Sequence, residues 1–380
     1  MKVIFNFFKK DHWPLFLIGN LSAILNLLLP LFLVRVLSTH DMGIYKTFFL
    51  YFTLVPFLSM AGGPLNSVYY WISKKSDQQD IYLSAAWQLN LILSFLFIIP
   101  GILFFIIFNH QFSHLKAEFM LVLICAALAT PAAHYPEVCI AKAQIIKGAI
   151  LGILFDLLKI FGFIFIAYYY KDINLLLYFF LSIMLFSFLF MNYLGIKEQC
   201  ISLTPYKKEI KEILHYSWPI SLSSTLIYVV EKLDLIIISL FVSPVDFAFY
   251  SMGCLLIPPL YLLESSVQKN IIPKLSIAYT EHRFQDAQAL MRKLISDTSF
   301  LIIPSVVGLF VFARPIIELL YTNEYEASII YLKLFAFSYL LLLIPHDSVI
   351  RASGKTKERL YPSRCLGRLG SSLPHHGLQN

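Results

Sequence analysis

The chain has 380 residues, of which 58% are hydrophobic and only 14% are charged, whereas soluble domains carry about 25% charged residues. With 34 Phe and 22 Tyr as well, so much apolar surface cannot be buried in a water-soluble core, and the composition excludes a soluble globular protein. The formal net charge of +7 comes from basic residues in short segments between apolar runs, which indicates membrane topology and contact with lipid headgroups rather than a nucleic-acid partner.

Apolar runs long enough to cross about 30 Å of hydrocarbon recur along the chain. They lack the alternation of a barrel strand, and unpaired backbone groups in lipid are costly, so all of them are predicted to be helices. Lys2, Lys9 and Lys10 precede the first run without a small-residue cleavage site after it, which predicts an uncleaved first span. About ten spans are expected, near residues 14–34, 46–72, 82–108, 118–140, 145–170, 173–195, 215–242, 247–268, 297–313 and 328–350.

Parts of the sequence recur at a nearly constant spacing of 204 or 205 residues. Such matches indicate a duplicated unit of about half the chain. Two apolar units of this size predict two lobes in lipid with a groove between them, an arrangement typical of transporters. The matches are Trp13-Pro14 with Trp218-Pro219, Ser38 with Ser243, Asp41 with Asp246, Tyr45 with Tyr250, and residues 98–100 with residues 302–304.

The sixth span ends near Gly195 and is followed by a polar stretch. Because six spans precede this stretch, both lobes begin on the same side of the membrane and the repeats are parallel. The sequence therefore predicts an all-α, polytopic membrane protein with about ten transmembrane helices in two pseudo-symmetric lobes. The expected parts are a six-helix lobe at 1–195, a cytoplasmic linker at 196–213, a C-terminal lobe of four helices at 214–350, and a polar tail at 351–380.

The distribution of Lys and Arg predicts a cytoplasmic N-terminus. In that orientation the inner segments hold 16 of these residues and the outer loops hold five or six, with Arg35 and Lys46 among the outer ones. The outer loops are too short to carry a soluble active site. The five cysteines have neither C-x-x-C nor metal spacing. We therefore expect no catalytic residues, no metal and no cofactor.

The second lobe is expected to be incomplete. The repeat offset predicts counterparts of the fifth and sixth spans after residue 350, yet residues 351–380 contain no apolar run. A frameshift or truncation near Lys357 would explain this difference. The neighbouring reading frame should then encode a long apolar stretch.

Several loose motifs, in their order and spacing, resemble those of the Wzx-type polysaccharide-biosynthesis flippases. This family belongs to the multidrug/oligosaccharidyl-lipid/polysaccharide exporter superfamily, and its members usually have 12 or 14 spans. The resemblance covers about residues 1–357. The residues that carry it are Leu31–Ser38 and Met42–Tyr45, similar to an R-x-L…x-G-x-Y pattern, then Asp234–Ile237, Tyr250-Ser251, and Ala352–Lys357.

The resemblance implies two six-helix lobes around a central cavity. It also implies a function, which is to turn an oligosaccharide on polyprenyl diphosphate from the inner to the outer leaflet of the bacterial inner membrane, for O-antigen or capsule biosynthesis. The implied partners are this lipid-linked oligosaccharide and the lipid bilayer, with a polysaccharide polymerase as a further candidate. The protein would then be a carrier and not an enzyme.

Ionisable side chains inside a span cost about 3 kcal/mol each and are therefore candidates for function. In the seventh span, Glu231 and Asp234 share a face of a regular helix while Lys232 points elsewhere. Either Lys232 lines the cavity and contacts diphosphate while an acidic residue couples transport to a cation, or all three pair with neighbouring helices.

Two further places carry charge in or beside a span. Asp156 and Lys159 are three residues apart in the fifth span, where an ion pair is favoured over a basic substrate site. Arg35 ends the first span, where its side chain either reaches the membrane interface as an anchor or faces the cavity. Both places are included in the predicted substrate cavity.

Two sets of helix-breaking residues are predicted as hinges. Gly62-Gly63-Pro64 interrupts the second span and Pro258-Pro259 interrupts the eighth. Proline lacks an N–H and glycine is conformationally permissive, so both sets break the helical hydrogen-bond ladder. Broken helices in transporters provide gating points, although Pro and Gly are also ordinary in membrane helices.

Three other functions remain open. A cation-coupled drug exporter of the same superfamily would share the fold, but its cavity would be acidic without basic residues. A membrane glycosyltransferase or polymerase would need catalytic side chains on a large loop. The third is a nonfunctional truncated flippase, because residues 351–380 contain no apolar run where two further spans are expected.

Overall fold

The computed structural model of the protein describes residues 12–107, 116–255, 257–281 and 283–343. Regular structure in these ranges is helical throughout and contains no strand, so the predicted all-α class is confirmed. The polar tail at 351–380 lies outside the described residues.

The chain divides into two compact units, with the division between Ser251 and Met252. The lobes predicted at 1–195 and 214–350 rest on the sequence repeat and not on packing, and they stay a prediction. The helices of the first unit are α1 (His12–Leu33), α2 (Thr39–Leu58), α3 (Gly62–Asn66), α4 (Val68–Lys74), α5 (Gln79–Leu96), α6 (Ile98–Ile107), α7 (Lys116–Ala132), α8 (His134–Ala141), α9 (Ile145–Tyr170), α10 (Ile173–Lys197), α11 (Lys207–Glu231), α12 (Leu233–Phe241) and α13 (Pro244–Gly253), the last of which crosses the division. Those of the second unit are α14 (Pro258–Thr280), α15 (Phe284–Val311), α16 (Ala313–Leu320) and α17 (Ser328–Ser338).

Within the described residues, five helical segments are long and apolar enough to cross a membrane. Four of them match the predicted third to sixth spans within a few residues, and the fifth contains most of the predicted ninth span but begins at Phe284 rather than near residue 297. The protein is therefore a multi-pass membrane protein. The segments are Gln79–Ile107, Glu118–Ala141, Ile145–Tyr170, Ile173–Lys197 and Phe284–Val311, and shorter apolar helices occupy Leu21–Leu33 and Ser328–Leu343.

The predicted second and seventh spans are not single helices. The second is divided into α2, α3 and α4, and the seventh is divided at Lys232, whose backbone (φ −111°, ψ 8°) separates α11 from α12. Hydropathy alone does not reveal these breaks, because the apolar run continues through them. Both breaks concern the candidate site.

Large apolar side chains are exposed along the outer faces of the helices in the first unit. In α9, Phe161 is 66% exposed and Phe165 is 56% exposed, while Phe163 between them is fully buried. The buried face carries an aromatic cluster in which Phe49 and Phe52 of α2 pack edge-on against Phe180 of α10. A helix with apolar residues on both faces is the pattern expected where lipid surrounds a packed bundle.

The sequence repeat has a structural counterpart at two helix starts. Ser38 precedes α2, and its hydroxyl accepts a hydrogen bond from the Asp41 backbone N–H at 3.1 Å. Ser243 precedes α13 and makes the same bond to Asp246 at 3.2 Å. Because a serine cap satisfies a backbone donor that the helix leaves free, these recurring residues set where both helices begin.

The second unit has two apolar cores. One contains Leu260, Ile302 and Ala336, and the other joins Leu275 of α14 to Leu294 of α15. The chain segment before α14 is bound by Tyr339, whose hydroxyl accepts from the Ile257 N–H at 2.9 Å and donates to the Leu255 carbonyl at 2.7 Å. A side chain thus takes over backbone hydrogen bonds at this helix break.

Two ion pairs join the ends of four helices in the first unit. Lys147 near the start of α9 pairs with Glu198 just beyond α10, and Lys142 pairs with Asp80 of α5 at 2.8 Å. The hydrogen bond from Lys147 holds the pKa of the Glu198 carboxyl below its ordinary value.

We predict that Glu198→Gln lowers stability in a pH-dependent way. Because the folded-state pKa is depressed, the carboxylate stabilises the fold above its ordinary pKa, and that contribution is lost as pH falls through the folded value. Lys147 and Glu198 are 39% and 40% exposed, so we expect a loss of under about 1 kcal/mol at pH 7.

Thermal unfolding in detergent between pH 7 and pH 3 measures this effect. The unfolding curves of the variant and the natural protein should converge at acid pH. Glu324→Gln, at an exposed glutamate, is the control and should show no such dependence. A difference of constant size at every pH would contradict the assignment.

Candidate functional site

A polar network lies within the first unit where α1 packs on α9. Lys159 binds Asp156 at 3.0 Å, so the expected ion pair is present. Lys159 also donates to Asn26 Oδ1 at 2.7 Å, and the Ser22 hydroxyl donates to Asp156 Oδ2 at 2.5 Å. Asp156 and Lys159 therefore each have one partner of opposite charge and one neutral hydrogen-bond partner. This arrangement lowers the free-energy cost of a charged side chain in a membrane helix.

The spacing of residues in α1 explains the position of this network. Ser22, Asn26 and the buried Leu29 recur every three or four residues and share one face, while Leu21 and Leu28 are about half exposed. Ser22 and Asn26 therefore occupy two successive turns of a packing face that is otherwise apolar. Ser22 and Asn26 were not predicted, because a lone serine or asparagine in a span gives no sequence signal.

A second cluster surrounds the break at Lys232. The prediction that Glu231 and Asp234 share a helix face assumes a regular helix, whereas α11 ends at Glu231 and α12 begins at Leu233. Asp234 instead accepts a hydrogen bond from the Tyr250 hydroxyl of α13 at 2.8 Å, and Glu231 is exposed.

A second lysine lies on a neighbouring element. Lys46 belongs to α2, which packs against α11 and α12 on either side of Lys232. Lys46 was predicted in an outer loop, yet it is a half-buried residue of α2, since that helix starts at Thr39 behind its serine cap. The cap pattern Ser38-x-x-Asp41 was the sequence signal that could have placed Lys46 in the helix.

Hydrogen bonds fix the approach of α2 to α11 and α12. Tyr228 donates to Thr53 at 2.7 Å, and Tyr51 lies 2.8 Å from the Ser239 hydroxyl. These two contacts lie before and after Lys232 in sequence. The break that carries Lys232 is therefore positioned against α2, with two cations on facing elements. Such an arrangement favours a ligand of negative charge.

The structure places Arg35 outside the membrane-spanning part of α1. It lies in the turn after α1, where its backbone N–H donates to Phe32 at 3.1 Å, and its side chain is exposed. Asn26 is nine residues earlier, about 14 Å along a helix axis. A role for Arg35 in the cavity stays a prediction.

The first predicted hinge lies next to an observed bend. The bend falls at Met60, which has φ +57°, and Gly62-Gly63-Pro64 forms the start of α3 immediately after it. Side chains of α11 add hydrogen bonds to two carbonyls at this bend, with Thr225 donating to Phe57 at 2.6 Å and Ser221 donating to Met60 at 3.3 Å.

Gly63 permits this close approach. A Cβ at Gly63 would lie 1.8 Å from the Ser221 hydroxyl oxygen, whereas a Cβ at Gly62 would meet nothing within 4 Å. Of the two glycines, only Gly63 is required by packing. The gating role of this segment stays a prediction.

The second predicted hinge differs from the expectation of a proline inside a helix. The chain leaves helical form between α13 and α14, and Pro258 and Pro259 stand at the first positions of α14. Proline is well tolerated there because the first N–H groups of a helix have no partner within it. The prolines begin a helix after the break rather than interrupting one.

The fold is that of multidrug-type membrane transporters. The chain is similar to a mutant of the MATE transporter VcmN of Vibrio cholerae, with a TM-score of 0.52 and 14% identity over 91% of this chain and 83% of that one. It is likewise similar to the inward-facing conformation of a multidrug resistance MATE family transporter of the MOP superfamily, with a TM-score of 0.53 and 14% identity over 89% and 82% of the two chains. At this identity the similarity establishes the fold alone.

Sequence comparison establishes the family. Residues 32–330 match the family described as polysaccharide biosynthesis protein, which covers most of the chain, and no curated protein matches it. The chain belongs to this Wzx-type family of membrane transporters, as its motifs predicted. It is a multi-pass membrane protein of a polysaccharide-biosynthesis family, and its fold is that of a transporter.

We predict that Asp156 and Lys159 are energetically coupled. Lys159→Met leaves the carboxylate with only the Ser22 hydroxyl, and we expect a loss of about 1–3 kcal/mol. Adding Asp156→Asn should recover part of that loss, since the unpaired charge is then gone. Thermal unfolding of both single variants and the double variant measures the coupling, and additive losses would contradict it.

We predict opposite outcomes for two helical glycines. A Cβ at Gly43 would lie 1.9 Å from the backbone oxygen of Pro244, so Gly43→Ala should destabilise the protein by about 1–3 kcal/mol. Gly62→Ala has free space and should be neutral or stabilise by up to about 1 kcal/mol. Unfolding measurements on both variants compare them, and equal destabilisation would show that the packing at Gly43 is not as close as the structure has it.

Proposed function

We propose that the protein is a flippase that moves an oligosaccharide on polyprenyl diphosphate across the bacterial inner membrane for surface polysaccharide biosynthesis. Family membership and the transporter fold support this proposal. The observation that carries it is the placement of two lysines, Lys46 and Lys232, on elements that pack against each other. Two cations that repel one another in a membrane protein are stabilised by an anion that binds both, and a diphosphate supplies one.

In this proposal the basic residues screen the charge of the diphosphate. Lys232 and Lys46 contact it directly, and Lys159 and Arg35 contribute a further positive potential. The acidic residues Glu231, Asp234 and Asp156 balance the empty cavity or bind a coupling cation. The glycan headgroup crosses in the polar cleft while the polyprenyl tail stays in lipid.

Alternating access supplies the movement. The lobes proposed at 1–195 and 214–350 rock against each other, so that the cleft opens first to one side and then to the other. The segments at Gly62–Pro64 and Pro258-Pro259 absorb the change in backbone angles. The excess of Lys and Arg in the inner segments supports a cytoplasmic N-terminus, and a polysaccharide polymerase would take the delivered substrate.

The charge balance also bears on a drug exporter of the same fold. Carriers of organic cations require acidic cavity residues, and facing lysines would repel such a substrate. The mixed charge of this protein therefore favours an anionic substrate.

We predict that Lys232→Ala and Lys46→Ala each lower glycan export at least tenfold, since each removes one of two cations from the diphosphate. Lys232→Arg should retain most of the activity because it keeps the charge. Export is measured as surface polysaccharide in cells that lack their own flippase.

Lys293→Ala, at an exposed lysine of α15, is the matched control and should export normally. Protein abundance in the membrane is compared for all variants. Normal export by the Lys46→Ala and Lys232→Ala double variant would overturn the proposal. Loss of resistance to cationic drugs without loss of glycan export would favour a drug exporter instead.

A further inference from the structure

A small cavity lies at the C-terminal end of α15 in the second unit. Its volume is about 300 Å³, and its lining combines charged and apolar side chains from α16, α17 and the segment between them. The lining residues are Arg314, Glu326, Ala327, Ile329, Ile330 and Lys333. None of these residues is used in the proposed transport mechanism.

Arg314 is held in place by two carboxylates. Its guanidinium binds Glu326 at 2.5 Å and Glu318 at 3.3 Å. The two carboxylates come from different elements, α16 and the turn before α17, so the pairing fixes the wall of the cavity. Each carboxylate keeps lone pairs free for another donor, since a carboxylate accepts about four hydrogen bonds.

Lys333 provides the second positive charge. Its ammonium lies 5.3 Å from the centre of the Phe310 ring, and the side chain is half-buried. Arg314, Lys333, Glu318 and Glu326 together carry two positive and two negative charges. A group that matches them is itself neutral, with an anionic part for Lys333 and a cationic donor for the glutamates.

An apolar seam continues from the cavity along α17. Ile330, Leu334 and Phe337 are each more than half exposed, and they recur at the spacing of one helix face. Phe337 packs edge-on against Phe310 of α15 with ring centres 5.6 Å apart. The seam extends about 10 Å from Ile330 to Phe337. In a protein surrounded by lipid, this face is available to an acyl chain.

We propose that the cavity and the seam form a binding site for a phospholipid with a phosphoethanolamine headgroup. The phosphate binds Lys333 and the outer edge of Arg314, the primary ammonium donates to Glu326 and Glu318, and one acyl chain lies along Ile330, Leu334 and Phe337. The arrangement differs from the facing lysines of the first unit, since it pairs both signs of charge with an apolar groove.

Charge complementarity favours this occupant over other lipids. A phosphatidylglycerol headgroup adds a net negative charge beside Glu318 and Glu326, which repel it. A phosphocholine headgroup is neutral overall, but its quaternary ammonium has no N–H to donate to the carboxylates. Only the primary amine satisfies both halves of the site.

Native mass spectrometry of the purified protein with matched diacyl phosphatidylethanolamine, phosphatidylcholine and phosphatidylglycerol tests the assignment. We expect phosphatidylethanolamine to bind at least threefold more tightly than either other lipid. Lys333→Gln should weaken its binding at least threefold, and Glu326→Gln should remove the preference for ethanolamine over choline. Soluble phosphoethanolamine, which lacks acyl chains, should bind at least tenfold more weakly.

Glu324→Gln and Lys293→Gln are matched controls, at an exposed glutamate near the cavity and an exposed lysine away from it, and should bind lipid as the natural protein does. Lys333→Gln and Glu326→Gln remove charges of opposite sign and test the site independently, so the test remains decisive if one of the two variants fails to fold. Equal binding of the ethanolamine and choline lipids by the natural protein would overturn the proposal. So would unchanged selectivity in Glu326→Gln, or binding of soluble phosphoethanolamine as tight as that of the lipid.

Discussion

The constraint on which this structure depends is that backbone hydrogen bonds must be satisfied where water is absent. Unbroken helices meet it by themselves, and the breaks meet it with side chains. The bend at Met60 is bound by hydroxyls of Ser221 and Thr225, and the segment before α14 is bound by Tyr339. Each of these two breaks is thus bound by side chains from another part of the chain, so its geometry depends on how those parts pack against it.

Charged side chains in the membrane also lose their contact with water, at a cost in free energy. The two charged clusters of the first unit differ in how this cost is offset. Asp156 and Lys159 neutralise each other and are completed by Ser22 and Asn26, so that network is stable without a ligand. Lys46 and Lys232 have like charge on elements that pack against each other, an arrangement that a bound anion would stabilise. The paired charges of Asp156 and Lys159 are explained by a structural role alone. The like charges of Lys46 and Lys232 are better explained by binding of an anion, so the transport proposal rests on these two lysines.

Much of the fold could be predicted from the sequence, because lipid imposes length and apolar composition on each span. The unbroken spans, such as α9 and α10, were found this way. The breaks at Met60 and Lys232 were not predicted, because a hydropathy pattern carries no information about backbone angles within an apolar run. Of the site residues, Asp156, Lys159 and Lys232 were found because charge in a span is rare. Lys46 was missed because the start of α2 was placed too late, and Ser22 because a single hydroxyl is common.

The sequence repeat includes the serine caps of two helices but not the charged residues of the candidate site. Ser38 and Ser243 make the same cap at the same offset of 205 residues, so the backbone plan is shared by both copies. The charges are not shared, since the position equivalent to Lys232 is Leu27 and the position equivalent to Lys46 is Ser251. Facing lysines therefore arise from an asymmetric pairing, in which each copy contributes one cation that the other lacks. Lys46 and Lys232 lie in the same compact unit of the structure, although they belong to different copies of the sequence repeat. In the proposed function, an anion bound by both lysines would contact both copies at once, and a ligand that binds one arrangement of the two more tightly would shift the equilibrium toward it.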